Sequence, residues 1–329
     1  MYIHVRNVTG ELRMKKTALV MMALLLSACS IFMLPYGCTR ERNAYAAGYI
    51  ENAERIMDEV IEYINAHPIK SDSSEHSFKS QDMRSRLDKD DAKLYDTLLK
   101  AARSFKNVSV TCTVSSMEAV SNALYIDHPE IETYFKMLET DAQEDSEVKY
   151  SSCIFLPDAR YARDSEDIGA VRQQVKALEA VAKYVAGRLP KNFSVIDKYR
   201  ALACYICANT KYVHVKGVMP EYAVNAFGAV MNGYSICQGY AIGFEYLCRM
   251  ANLDCRRVRN AYTDDNMHFW DEVTLDSGSY YIDVTWCDGR GDYSEADWFK
   301  WFMFCAEEQH EADDGSKTTG IPLDRSGWE

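Results

Sequence analysis

The chain has 329 residues, 47% of them hydrophobic and 26% charged, which is enough apolar mass for one large core or two small ones and excludes a disordered or fibrous chain. Its 49 acidic and 37 basic residues give a formal net charge of −12, and the chain has no extended Lys/Arg block, which argues against phosphate-driven binding to nucleic acid. Eleven cysteines make the compartment a question to settle first, because exported and cytosolic chains use thiols differently.

The N-terminus speaks to that question. Met14-Lys15-Lys16 followed by the apolar run Thr17 to Leu26 has the form of a bacterial export signal, with Met14 as the initiator and residues 1–13 as a doubtful extension. The run ends in Leu26-Ser27-Ala28-Cys29, which resembles the lipobox of bacterial lipoproteins. That resemblance implies cleavage of a signal peptide 14–28 and a lipid on Cys29. An uncleaved membrane anchor is the competing reading, since apolar residues continue through Ile31 to Leu34 and reach the lower limit for a spanning helix. Either way the rest of the chain is expected outside the cytoplasm, with 29–42 as a tether. Residues 1–28 carry four basic residues and one acidic one, so cleavage leaves the body more acidic and unsuited to hold anionic lipid through its surface.

From Asn43 to His67, apolar residues at Ile50, Ala53, Met57, Val60 and Ile64 predict an amphipathic helix that stops before Pro68. Ser71 to Ser80 reads as a loop, and Asp91–Phe105 as a second helix with Leu94, Leu98, Ala101 and Phe105 inward. Val108, Val110, Cys112 and Val114 alternate with polar residues as a half-buried strand. Ser115 and Glu118 have the spacing of a capping box for a third helix, which Pro129 forbids from continuing. The acidic stretch Asp141–Val148 is the expected divide between an N-terminal region, 43–140, and a C-terminal domain, 160–310, followed by a tail, 311–329. Beyond it, Ile168 to Val185 marks a helix ended by Leu189-Pro190, and Ser194-x-x-Asp197 opens another.

Ser235-x-x-Gln238 fits a further capping box and places Cys237 in the first turn of a helix whose inward face is Tyr240, Ala241, Phe244, Leu247 and Cys248. Free amides and the positive helix end favour thiolate over thiol at that position. Gly239 leaves room for a substrate backbone. Arg256–Tyr262 reads as a strand, and His268–Leu275 and Tyr280–Trp286 as a hairpin around Asp276-Ser277-Gly278. An even loop puts His268 and Asp283 on one face, and the simplest register, Leu275 opposite Tyr280, leaves them four ladder positions apart, so contact requires a bulge or strong twist. A thiolate to attack an acyl carbon, an imidazole to hold and return its proton, and a carboxylate to orient the imidazole form one chemical set. Cys237, His268 and Asp283 supply it in that order.

The run Asn225-Ala226-Phe227-Gly228-Ala229 to Cys237-Gln238-Gly239-Tyr240-Ala241, then His268-x-Trp270, then Tyr281-x-Asp283-Val284-Thr285-Trp286, resembles the bacterial transglutaminase-like superfamily. The likeness extends over about Asp197 to Phe304, including Asn209-x-Lys211-Tyr212, and Ala123 to Glu130 resembles a segment that often precedes such domains. It implies an α+β, papain-like fold in which a catalytic helix packs on an antiparallel sheet, preceded by a mostly helical region. It further implies Cys237 as nucleophile, His268 as general base then acid, Asp283 as its orienter, and Gln238, Gly239, Tyr240 and Trp270 beside the substrate. No cofactor or metal is called for. Asp271 stands where an Asn is usual and Cys287 where an acidic residue is common; both are expected to alter hydrogen bonds near the substrate pocket.

Other features have plainer readings. Cys204-x-x-Cys207 lacks the second ligand pair of a zinc site, His128 reads as a structural Asp-His-Pro corner, and Trp286, Trp298, Phe299, Trp301 and Phe302 read as core packing behind the hairpin. Three function classes fit: an extracytoplasmic cysteine peptidase or amidase working through a thioester, with protein-glutamine transglutaminase as its alternative; a surface binding lipoprotein that keeps only the fold; and a chain whose N-terminal region does the work. The enzyme reading expects a protein or peptide substrate, including cell-wall or surface polymers, and contact with the membrane only through Cys29.

Overall fold

A computed structural model describes residues 41–69, 75–77, 82–142, 148–155, 165–214, 221–260, 267–289, 300–305, 310, 312 and 318–319. The expected signal peptide 14–28, Cys29, and Trp298 and Phe299 lie outside these residues. Among the described residues no helix is long and apolar enough to cross a membrane.

The fold is α+β, with two hydrophobic cores. Helix α1 (Glu41–Ala66) buries Ala46, Ala53, Ile56, Met57, Val60 and Ile64, the stripe its periodicity predicts, and ends before Pro68. It packs on α5 (Ser165–Gly187) and α6 (Val195–Asn209), elements of the C-terminal half. Between them in sequence lies a smaller unit: α2 (Lys89–Ser104), β1 (Ser109–Cys112), α3 (Val114–Asp127), the single turn α4 (Pro129–Glu132), β2 (Phe135–Ala142) and β3 (Val148–Ile154). Its antiparallel sheet runs β1-β3-β2, and its core gathers Tyr95, Leu98, Val120, Leu124, Phe135 and Ile154.

Two expectations change here. The acidic stretch Asp141–Val148 joins β2 to its hydrogen-bonded neighbour β3, so both its flanks serve one sheet and one core. The third helix is capped by Thr113, whose side chain accepts from Ser116 N, two residues before the expected Ser115; Val114 therefore begins the helix, 48% exposed, instead of ending the strand.

The larger core holds the candidate site. Ser194 accepts from Asp197 N to cap α6, as its spacing predicts. The short parallel pair β4 (Lys211–Tyr212) and β5 (Tyr234–Ser235) leads into α7 (Cys237–Met250), which packs against the antiparallel sheet β6 (Arg256–Arg259), β7 (Phe269–Leu275) and β8 (Gly278–Ile282). Every residue of α7 from Gly239 to Cys248 is buried, wider than a single stripe, because the helix is enclosed by α5, α6 and the sheet.

Candidate active site

Cys237 is the first residue of α7, but no capping box puts it there. The N-cap is Ile236, which makes no side-chain cap bond, and Ser235 instead donates its hydroxyl to Ala223 O at 2.8 Å. The helix start is held from outside: Ile236 N also donates to Ala223 O, Asn225 Oδ1 accepts from Phe227 N, and Asn209 Nδ2 donates to Ala229 O. The Asn225–Ala229 and Asn209–Tyr212 motifs thus fasten the loop that precedes the thiol. Gly228 is required there, since a Cβ would lie 2.0 Å from Tyr222 O.

Leu275 pairs with Gly278, not with Tyr280, leaving Asp276 and Ser277 as a two-residue turn. Continued along the ladder, this register sets Asp283 opposite Trp270, two positions from His268, a diagonal reach that needs no bulge. His268 Nε2 and Asp283 Oδ2 are 2.5 Å apart, and the Cys237 thiol lies close enough to the imidazole to favour its protonated form. With Nε2 on the carboxylate, Nδ1 is the nitrogen left for sulfur. Cys237 is 7% exposed and His268 6%.

Burial disfavours a charged imidazole, yet the Asp283 carboxylate and then Cys237 outweigh it and raise His268 to about 9. Burial likewise pushes Asp283 up, but His268 and His310 together hold it well below the ordinary carboxylate range. Its Oδ1 accepts from Trp286 N at 3.0 Å and its Oδ2 from His310 Nε2 at 2.9 Å as well as from His268. The His268 ring lies nearly parallel to Trp286, at 4.9 Å and 21°, and to Trp270, at 5.9 Å and 25°, which fix its plane. His268, Asp283 and His310 each offer an atom within 4.8 Å of the others, a set able to ligate a metal ion. The N···O distances of 2.5 and 2.9 Å are those of hydrogen bonds.

The structure brings Cys237, His268 and Asp283 together, and it relocates most of the expected substrate contacts. A Cβ on Gly239 would meet Ser235 Oγ at 2.1 Å and Ala223 O at 2.6 Å, so the missing side chain makes room for the chain itself rather than for a substrate. Tyr240 is fully buried and donates its hydroxyl to Asp288 at 2.6 Å, and Trp270 is fully buried against His268. Gln238 is half-buried, and its Nε2 donates to Glu132 of α4 at 3.3 Å. Glu132 also accepts from Arg257 NH1 at 2.8 Å, and Arg249 donates to Ile126 O, so the small unit is fastened to the residue next to the thiol.

Asp271 does not reach the substrate side. Strand alternation turns it away from Trp270, and its fully buried carboxylate accepts from Cys255 Sγ at 3.6 Å. Burial and then Glu245 push it well above its ordinary range. Trp286, Trp301 and Phe302 are core residues, Asp127 accepts from Met83 N, Arg84 N and Tyr95 Oη as a structural corner, and all nine described cysteines are free thiols. His310 carried no sequence motif; only its approach to Asp283 marks it.

Residues 179–286 match the model of the transglutaminase-like superfamily, and the chain carries a domain of that superfamily. The mouse and human kyphoscoliosis peptidases are 24% and 23% identical to it over 139 residues, 39% of this chain. The chain spans about a fifth of the length of these relatives, 21%. Among solved structures, a candidate cysteine protease of Cytophaga hutchinsonii aligns over 55% of this chain and 65% of its own with TM-score 0.27 and 15% identity. A TGase aligns over 55% and 50% with TM-score 0.26 and 13% identity.

Proposed function

We propose that the chain is a cysteine peptidase or amidase. The observation that carries this reading is the grouping of a helix-start thiol, an imidazole and an ionised buried carboxylate, Cys237, His268 and Asp283. The Cys237 thiolate attacks an amide carbonyl carbon, and backbone N–H groups at the start of α7 stabilise the oxyanion. His268 carries the proton at neutral pH and passes it to the leaving amine as the C–N bond breaks. In the thioester that remains, water attacks as His268 takes its proton, and the acid and the thiolate are released.

Hydrolysis is preferred over transfer to an amine: the relatives the chain matches are named peptidases, and among the described residues Asp271 is buried on the other face of its strand. The substrate is a protein or peptide, including fixed cell-wall or surface polymers. Export and a lipid on Cys29 would hold the enzyme at the outer face of a membrane, and Cys29→Ser is expected to release it on fractionation. Incubation with a glutamine-containing protein and excess fluorescent primary amine tests the acceptor. Hydrolysis without amine incorporation is expected, and incorporation at a comparable rate makes the chain a transglutaminase. Cys237→Ala is expected to abolish either activity with circular dichroism unchanged; wild-type turnover in that variant would sink the mechanism.

A further inference from the structure

Asp283 is held more tightly than an orienting carboxylate needs to be. Trp286 N donates to Oδ1, while Oδ2 lies between His268 Nε2 at 2.5 Å and His310 Nε2 at 2.9 Å. His310 and Asp283 have side chains with no exposed surface. The His310 ring meets Trp270, Trp286 and Phe304 edge to face, with centroids 5.0, 4.4 and 4.7 Å away, and leans on Trp301 at 4.9 Å. Nδ1 finds no hydrogen-bond partner among the described residues, so the ring's polar capacity is directed through Nε2 at one carboxylate oxygen. A buried imidazole that spends its single polar contact on this carboxylate is unusual for packing alone, because an aromatic or aliphatic side chain fills such a box without an orphaned nitrogen.

We propose that His310 is a positioning residue of this site: its Nε2–H pins Asp283 Oδ2, stops the carboxylate from swinging about its Cβ–Cγ bond, and so holds the His268 ring in line with Cys237. The inference rests on the peptidase reading, since it assigns His310 to the same thiol–imidazole–carboxylate chain. With His310 replaced by a ring lacking the donor, Asp283 keeps only Trp286 N and His268, and the imidazole it orients gains the same freedom. The effect is expected at the thiol, by about 10- to 100-fold, the size seen when groups that orient a functional ligand are removed.

The test uses the full-length chain and iodoacetamide, with alkylation of Cys237 followed by peptide mass spectrometry against half-buried Cys305. In His310→Phe, which keeps an aromatic ring in the box, Cys237 alkylation is expected to slow by about 10- to 100-fold. His310→Gln, which returns an N–H donor, restores most of the rate. In ¹⁵N-histidine-labelled wild type, two exchange-protected imidazole N–H signals are expected, and the His268 signal shifts downfield in His310→Phe and returns in His310→Gln. A wild-type rate in His310→Phe, with His268→Ala strongly slowed, overturns the role of His310 and leaves the peptidase reading standing. Wild-type Cys237 reacting no faster than Cys305 and ignoring His268→Ala overturns both. Should the variants fail to fold, a single protected imidazole signal in the wild type overturns the proposal by itself.

Discussion

Two clusters of buried charge flank strand β7, and at similar depth of burial their carboxyls are shifted in opposite directions. On the His268 side, Asp283 collects one backbone and two imidazole donors and stays far below its ordinary range. On the other side, Asp271 has the weak Cys255 thiol as its side-chain donor, and Glu245, fully buried on α7, is pushed by burial up to about 7 despite Arg257 and Arg249 nearby. Arg257 is itself raised by Glu132 and Glu245 although burial opposes it. The difference shows that donors, not depth, decide whether a buried carboxylate keeps its charge. A charged acceptor surrounded by donors can orient an imidazole, and a carboxyl with few donors takes up a proton and serves packing.

The largest effect should come from breaking the first cluster. Asp283→Asn is expected to lower kcat/KM by about 10²- to 10⁴-fold, and His268→Ala by more, because the first misorients the base and the second removes it. Steady-state kinetics with the substrate identified by the acceptor assay checks the order; equal losses would mean that Asp283 does more than orient. Next, Glu132→Gln uncouples Arg257 from the small unit and should cost about 3 kcal/mol in urea unfolding, since it leaves a buried guanidinium without its nearest carboxylate.

The second cluster should show itself in the pH dependence of stability. Glu245 is raised from 4.5 to about 7, so between those values the folded state holds a proton that the unfolded chain has lost, and stability falls as pH rises. The loss across that window is on the order of 3 kcal/mol, and Glu245→Gln should flatten it, as followed by urea midpoints at successive pH values. His268 acts higher: its contribution is complete below 6.5 and is lost as pH rises through about 9. Smallest is Asp271→Asn, a neutral isostere for a carboxyl that favours its protonated form. Activity should stay within about threefold and stability change by less than about 1 kcal/mol at neutral pH. A large loss of activity there would join the two clusters functionally.

The legible parts of the site were those written in local pattern. The helix that begins at Cys237 follows from its apolar residues, the hairpin from alternating β-formers around a short turn, and the chemistry from the order of Cys237, His268 and Asp283. What misled was local pattern of a weaker kind. Ser235 and Ser115 have capping spacing, but a hydroxyl caps only if the chain does not offer it a better partner, and Ala223 O and the earlier Thr113 decided those cases.

By itself the sequence determined the α+β class, the long first helix, and the three residues that meet at the thiol, because periods of 3.6 and 2 and the reactivity of side chains are properties of short segments. Only the tertiary structure decided the hairpin register, the packing of α1 onto the C-terminal core, the closing of Gly239 against Ala223, and the placement of His310 on Asp283, 27 residues away in sequence. Each depends on which surfaces meet. That choice is made by burial and by the hydrogen bonds left to satisfy once the layers close, and no single segment carries it.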